Sequence, residues 1–128
     1  MPVVYDIDKA RGLIRTRCTG NVTLQEALDH FRALESDPNC PGNLDVLLDL
    51  SAMKTKPTGD QLRSITDEMG KVSRVRFGAC AVVVGSDVMF GMSRMYISLA
   101  GAYFRDAQVF RAVADAEEWL ALHRSPLT

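Results

Sequence analysis

The stretch LDVLLDL, residues 44–50, decides the fold, together with Ser51 and the polar loop that follows it. The run is almost continuously apolar, and residues 79–84 (ACAVVV) have the same character. Such runs are typical of central strands in a parallel sheet, which helices cover on both faces. The loop after Ser51 leads to a helix start at residues 58–60. Sheets of this kind usually place ligands and switches at the carboxyl ends of their strands.

The elements around these two strands follow from local patterns. Residues 3–7 and the alternating segment 13–18 predict a hairpin, because Gly12 can adopt the positive φ that the turn between them needs. Thr23-Leu24-Gln25-Glu26 is a capping box, which predicts a helix start with an apolar face running to Leu34. The remaining predicted elements are helices over residues 62–72 and 88–103, a strand over residues 107–110 and a final helix from Asp115.

The predicted order of elements is therefore β-β-α-β-α-β-α-β-α. With right-handed crossovers, this order gives an α/β fold in which helices pack on a mixed β-sheet. The 128 residues contain no internal repeat, low-complexity segment or linker. We therefore expect one domain over residues 1–128, large enough to bury a core without disulfides or metals.

Charge and cysteine content exclude several classes of function. Fifteen basic and sixteen acidic residues give a net charge of −1, which argues against a nucleic-acid partner. No run of 18 apolar residues is present, so we expect no integral membrane segment. Cys18, Cys40 and Cys80 are odd in number and widely spaced, which fits a reducing, cytoplasmic location. They lack metal-ligand spacing, so we expect no metal and no cofactor.

Catalytic groups are scarce in the sequence. The two histidines are His30, which we expect to be a solvated residue of the first helix, and His123, near the end of the last helix. Gly85-Ser86-Asp87 is not a nucleophile elbow, which needs Gly-x-Ser-x-Gly. The simpler interpretation is that Ser86 or Asp87 caps the third helix. No glycine-rich phosphate loop is present, and we expect the protein not to be an enzyme.

Five polar residues follow the two central strands and form the first candidate site. If these strands are parallel neighbours, their carboxyl ends point the same way, and loops 51–59 and 85–87 lie close together. The five residues would then border one shallow patch that binds a ligand or a partner. We call them the strand-end patch: Asp49, Ser51, Thr58, Ser86 and Asp87.

The third helix carries the second candidate site. Its apolar residues spread over roughly 220° of the helix surface, whereas packing on one sheet face needs little more than about 100°. Something beyond the sheet must cover the rest: neighbouring helices of the monomer, a second copy in a homodimer, or an apolar ligand. The candidate residues for a dimer face or an apolar ligand face are Met89, Met92, Met95, Tyr96, Leu99 and Tyr103.

Several motifs, in their order along the chain, resemble the SpoIIAA-like family of small bacterial STAS-type domains. They are the hairpin opening, Gly20–Thr23, Leu48-Asp49-Leu50-Ser51, Gly85-Ser86-Asp87, Met89-Phe90-Gly91-Met92-Ser93-Arg94, and Phe110-Arg111 with Ala116-Glu117-Glu118-Trp119-Leu120. The resemblance implies a STAS/SEC14-like fold, often of undefined function. Relatives in the wider group are anti-sigma-factor antagonists, which bind a partner kinase and are switched by phosphorylation, and lipid-carrying SEC14-type domains.

The resemblance also implies one modification site. In the antagonists, a phosphorylated serine follows the strand-end Asp-Leu-Ser, and counting without gaps from Asp49 puts Thr58 at that place. This chain has Lys56-Pro57-Thr58-Gly59-Asp60 there, without the paired serines of the antagonists. Phosphorylation of Thr58 is therefore a hypothesis to be tested.

Two hypotheses about function follow. The first is a non-enzymatic, STAS-like regulatory or protein-interaction module with an unidentified protein partner. The second is a small-molecule or lipid-binding domain with an apolar pocket beside the third helix.

Overall fold

A five-stranded sheet with helices on both faces forms the frame of the protein. The computed structural model describes residues 2–124. The elements in this part of the chain are β1 Val3–Asp8, β2 Leu13–Gly20, α1 Leu24–Ser36, β3 Asn43–Met53, α2 Gly59–Gly70, β4 Arg76–Val83, α3 Asp87–Ala100, β5 Asp106–Phe110 and α4 Val113–Leu122.

The strand order is β1-β2-β3-β4-β5, the same as the order along the chain. β1 and β2 form an antiparallel hairpin in which Gly12 has a φ of 61°, and every later pair is parallel. Because each crossover steps to the next strand in the same direction, right-handed connections place α1, α2 and α3 on one face of the sheet. α4 packs on the opposite face, against β3, β4 and β5. The predicted α/β class and the mixed sheet are confirmed.

The interior strand β4 separates two cores. Its side chains alternate between the faces of the sheet, as a strand requires. Cys80 and Val82 belong to the core under α1, α2 and α3, whereas Ala79 and Ala81 belong to the core under α4. The small alanines leave room for Ala116 of α4, which is completely buried. A strand covered in this way must be apolar on both faces, which explains the continuous apolar run in the sequence.

Several element boundaries differ from those expected, among them those of β3, α3 and α4. β3 ends at Met53 rather than Leu50, because its last residues still pair with β2: Ala52 lies opposite Thr19 and Met53 opposite Gly20. α3 ends at Ala100, short of the expected residue 103. α4 begins at Val113 and carries Asp115 within its first turn, where the helix dipole favours an acidic side chain.

Candidate functional site

A cavity of about 530 Å³ lies between the sheet and helices α1, α2 and α3. Its volume falls within the range of about 300–1,000 Å³ that is typical of small-molecule sites. Leu48 and Leu50 of β3 contribute to its wall on the sheet side, and Ala27 and Leu62 contribute from α1 and α2. The wall is mainly apolar, and we call this space the apolar cavity.

α3 contributes a stripe at helical spacing to the apolar cavity. Met89, Met92, Ser93 and Tyr96 stand at positions i, i+3, i+4 and i+7, which lie on one side of a helix. Met89 and Tyr96 are buried, and the Tyr96 hydroxyl lies 3.4 Å from the sulfur of Met69 on α2. Part of the predicted apolar face of α3 therefore borders a cavity.

The other candidate residues of the third helix lie elsewhere. Met95 and Leu99 pack against the core, and the Met95 methyl group lies over Gly59 at the start of α2. The Tyr103 hydroxyl lies over Gly70, and the residue remains 40% exposed. Because α2 and β5 also pack on α3, much of its wide apolar arc is covered within the chain.

Three polar side chains stand in the wall of the apolar cavity near its buried side: Thr16, His30 and Ser93. Thr16 and Ser93 are only 2% and 3% exposed. Oγ1 of Thr16 lies 3.3 Å from Nε2 of His30. Nδ1 of His30 and Oγ of Ser93 are buried and have no hydrogen-bond partner among residues 2–124. Unpaired polar atoms in a buried wall are uncommon and call for an explanation.

The expectation that His30 is solvated is wrong. The residue lines the cavity, and its ring lies 5.4 Å, centroid to centroid, from the rings of both Tyr5 and Phe31. The reason is its place on α1: His30 is three residues after Ala27 and four before Leu34, so all three share the inward side of the helix. Burial lowers the pKa of His30 from 6.5 to about 4. The imidazole is therefore neutral at pH 7.

The cysteine of the cavity wall is not a nucleophile. Cys18 is 7% exposed, and burial, with a smaller contribution from the charge of Asp49, raises its pKa to about 11. The thiol therefore stays protonated at neutral pH, and the thiolate is the reactive form.

The open end of the apolar cavity lies beside the loop between β3 and α2. Thr55, Lys56 and Pro57 of this loop line the cavity, and Lys56 is exposed. The loop is held by the connection between β2 and α1, because the Val22 amide donates to Thr55 Oγ1 at 3.1 Å. The entrance is therefore at the carboxyl ends of β2 and β3, the edge where such sheets usually place ligands.

The strand-end patch lies at the same edge of the sheet. β3 and β4 are parallel, and a methyl group at Gly85 would lie 2.7 Å from the Ser51 carbonyl oxygen, so the segments after the two strands are close together. Asp49 and Ser51 contact each other, with the Ser51 hydroxyl donating to Asp49 Oδ1 at 2.6 Å. Both side chains point away from Leu48 and Leu50, because neighbouring residues of a strand face opposite sides.

The other three residues of the strand-end patch have local partners. Thr58 caps α2 in a capping box with Gln61, and Ser86 caps α3 by accepting from the Met89 amide at 3.2 Å. Asp87 pairs with Arg111 at 2.7 Å. The structure thus brings Asp49 and Ser51 into contact and gives Thr58 and Ser86 roles at helix starts.

The polar groups described so far lack the constellation of a nucleophilic enzyme. Thr16 beside His30 is a hydroxyl next to a base, but such a base is normally oriented by a third group. Nδ1 of His30 has no partner of this kind within residues 2–124. In the same part of the chain, no group of three His, Cys, Asp or Glu side chains is placed to hold a metal ion.

No helix within residues 2–124 combines the length and the apolar character that crossing a membrane requires.

The fold is that of a small α/β domain with a mixed five-stranded sheet. The SpoIIAA-like family profile matches residues 13–121, most of the chain, and the protein belongs to that family. A similar solved structure is that of an uncharacterized protein of the DUF3478 family with a SpoIIAA-like fold from Shewanella loihica PV-4. The two chains are 13% identical, with a TM-score of 0.60 over 92% of this chain and 91% of the other. This likeness concerns the fold alone. No curated protein matches the chain.

Sequence reasoning did not identify Thr16, His30 and Ser93 as members of one site. For Thr16 and Ser93 the sequence contains a signal. Thr16 stands between Ile14 and Cys18 on the inward side of an alternating strand, and Ser93 stands inside the apolar stripe of α3. A polar residue at an inward position is the feature that would have drawn attention to them.

Proposed function

We propose that this SpoIIAA-like domain is a non-enzymatic binding module that holds a small apolar molecule in the apolar cavity. The observation that carries the proposal is the cavity itself, about 530 Å³ with mainly apolar walls. Protein interiors are close-packed, and an engineered apolar cavity of only about 150 Å³ already binds benzene. A space more than three times that size, open at the usual ligand edge of the sheet, fits a molecule of two or three fused rings or a folded acyl chain.

The composition of the wall supports the same proposal. Met89 and Met92 contribute flexible, polarisable side chains that adapt to ligands of different shape. Lys56, the charged residue among those lining the cavity, is exposed at the entrance, so the inner part offers no ionic partner. An apolar body is therefore the chemistry that the site matches best.

Binding of N-phenyl-1-naphthylamine, an uncharged fluorescent probe of apolar sites, tests the proposal. Ala27 lines the cavity, and Ala27→Phe places a ring in it. Ala33 is exposed on the same helix, so Ala33→Phe is the matched control. We expect saturable fluorescence enhancement with the wild type and with Ala33→Phe, and at least about tenfold weaker binding with Ala27→Phe.

Two results would contradict this proposal. The first is that the wild type gives no saturable enhancement. The second is that Ala27→Phe, shown to be folded by circular dichroism, binds the probe as tightly as Ala33→Phe does. In the second case the probe would bind outside the cavity.

The strand-end patch supports a second candidate function, a regulatory module that binds a protein partner. The supporting observation is exposure: Ser51, Thr58, Ser86 and Asp87 are all exposed at one edge of the sheet. The Thr58 hydroxyl is accessible, and a phosphate there would meet the positive end of the α2 dipole. Intact-mass analysis after incubation with host lysate and ATP tests this. Phosphate uptake by Thr58→Ala equal to that of the wild type would contradict modification at Thr58.

A homodimer stays a prediction. We expected a dimer because the apolar arc of α3 is too wide for one sheet face. Much of that arc packs on α2 and β5, which leaves less of it for a second copy to cover. Val88 and Tyr103 remain exposed, at 53% and 40%, and a dimer through α3 would cover them. Sedimentation velocity at micromolar concentration distinguishes the dimer from a monomer.

A further inference from the structure

We infer that the ligand carries one uncharged hydrogen-bonding group on its apolar body, and that His30 and Ser93 receive that group inside the apolar cavity. This inference rests on the proposed function and specifies the chemical class of the ligand: an alcohol, a phenol or a primary amide.

Several polar side chains in the wall of the apolar cavity already have hydrogen-bond partners within the chain. Thr23 and Gln61 use their side chains in the capping boxes of α1 and α2. Thr55 Oγ1 accepts from the Val22 amide. Nδ1 of His30 and Oγ of Ser93 are the buried side-chain atoms left without a partner in residues 2–124. Buried polar groups normally have partners, so these two atoms mark where a ligand group completes the site.

The hydroxyl of Ser93 is not satisfied within its own helix. A serine inside a helix can satisfy its hydroxyl locally by donating to the carbonyl four residues earlier. Thr66 of α2 does this, donating to the Leu62 carbonyl at 2.8 Å. Ser93 of α3 makes no such hydrogen bond, although only 3% of the residue is exposed to water. Its hydroxyl is thus available as both donor and acceptor, and a rotation about its Cα–Cβ bond moves the oxygen within the cavity wall.

The surroundings of His30 and Ser93 favour an uncharged ligand group. Burial of an ion without an ionic partner is strongly unfavourable. Lys56, the charged side chain of the wall, lies at the entrance, and the low pKa of His30 keeps its ring uncharged. Nδ1 of His30 donates or accepts a hydrogen bond according to the tautomer of the ring. A ligand group that can both donate and accept is therefore able to bond to His30 and to Ser93. Hydroxyl and amide groups meet this requirement, and a carboxylate does not.

Three compounds that share one ring system test the inference: naphthalene, 2-naphthol and 2-naphthoate. Each competes with N-phenyl-1-naphthylamine for the wild type at pH 7.5. We expect 2-naphthol to bind about tenfold more tightly than naphthalene, the gain of one or two buried hydrogen bonds. We expect 2-naphthoate to bind more weakly than naphthalene, because its charge loses hydration.

Variants assign this preference to the two residues. Ser93→Ala and His30→Phe should each reduce the advantage of 2-naphthol over naphthalene to about threefold or less, with naphthalene affinity unchanged for Ser93→Ala. Ser98 is exposed on the same helix, and Ser98→Ala should keep the full advantage. Ser93→Ala removes an unpaired hydroxyl, so it should fold as well as the wild type.

The outcomes separate this inference from the proposed function. Equal binding of naphthalene and 2-naphthol overturns the inference and leaves the proposed function standing. The same holds if 2-naphthoate binds best, or if the 2-naphthol advantage survives both Ser93→Ala and His30→Phe. If none of the naphthalenes and no N-phenyl-1-naphthylamine binds to the wild type, the proposed function itself fails.

Discussion

Oγ1 of Thr16 lies 3.3 Å from Nε2 of His30, so a strand hydroxyl holds one nitrogen of the ring in the wall of the apolar cavity. The contact fixes the ring between β2 and α1 and leaves Nδ1 without a partner in the described chain. A half-buried, neutral imidazole whose Nδ1 is shielded from water is suited to recognising an uncharged polar group. It is poorly suited to acid–base catalysis near pH 7, for which a pKa near the working pH is favourable.

The stability of the protein should depend on pH through His30. Burial lowers its pKa from 6.5 to about 4 in the folded state, so between these values the unfolded state binds the proton more readily. The contribution of His30 is fully present above pH 6.5 and falls as the pH drops toward 4. The loss should reach at most roughly 3 kcal/mol. Urea unfolding at pH 7.5 and 4.5 measures it.

His30→Phe supplies the comparison for this measurement. The phenyl ring keeps the apolar packing and cannot bind a proton, while the carboxylates still titrate. The difference in unfolding free energy between pH 7.5 and 4.5 should therefore be smaller in His30→Phe than in the wild type. Equal differences in the two proteins would show that water reaches the imidazole and that His30 is not buried as described.

Gly85 should tolerate no side chain, because a methyl group there would lie 2.7 Å from the backbone oxygen of Ser51. We expect Gly85→Ala to lower the unfolding free energy by about 1–3 kcal/mol, as overpacking does. Gly91 of α3 has no atom within 4 Å of the same position, so Gly91→Ala should raise it by about 0.5–1 kcal/mol. Urea unfolding compares them. A Gly85→Ala variant as stable as the wild type would contradict the close approach of the segments after β3 and β4.

Substitutions at the helix starts should lower the unfolding free energy where a capping side chain is removed and raise it where one is added. Thr58 and Ser86 cap α2 and α3 with their side chains, so Thr58→Ala and Ser86→Ala should each cost about 1 kcal/mol. Ala112 stands at the start of α4 with extended backbone angles and no capping side chain. Ala112→Ser should therefore raise the unfolding free energy by about 0.5–1 kcal/mol. Thermal unfolding measures all three, and loss of stability in Ala112→Ser would contradict the assigned start of α4.

The fold could be predicted because its signals are local. The apolar runs at residues 44–50 and 79–84, the capping box at Thr23 and the turn glycine at Gly12 each depend on neighbouring residues. The boundary errors have the opposite cause. β3 continues to Met53 because it pairs with β2, a contact that a pattern along one strand does not contain.

An apolar pocket beside the third helix was one of the alternatives that the sequence offered, and the sequence could not decide among them for a related reason. The distance between α1, α3 and the sheet decides whether inward side chains fill the space between them or surround a cavity. Met92, Leu48 and Ala27 are three such side chains. Apolar spacing identifies the inward residues but not the distance across the core. The assignment of His30 to the exposed side was wrong because its helical position was judged against Phe31, the next residue, and not against Ala27, three residues earlier.

The most direct test of the proposed site is an amide-resolved NMR titration of the wild-type protein with 2-naphthol. We expect the largest shift changes to cluster around Thr16, His30, Leu48, Met92 and Ser93 and to saturate together. Residues on the opposite face, around Trp119 of α4, should not change. Shift changes centred on α4, or none at a ligand concentration that saturates probe displacement, would contradict the claim that the apolar cavity is a ligand site.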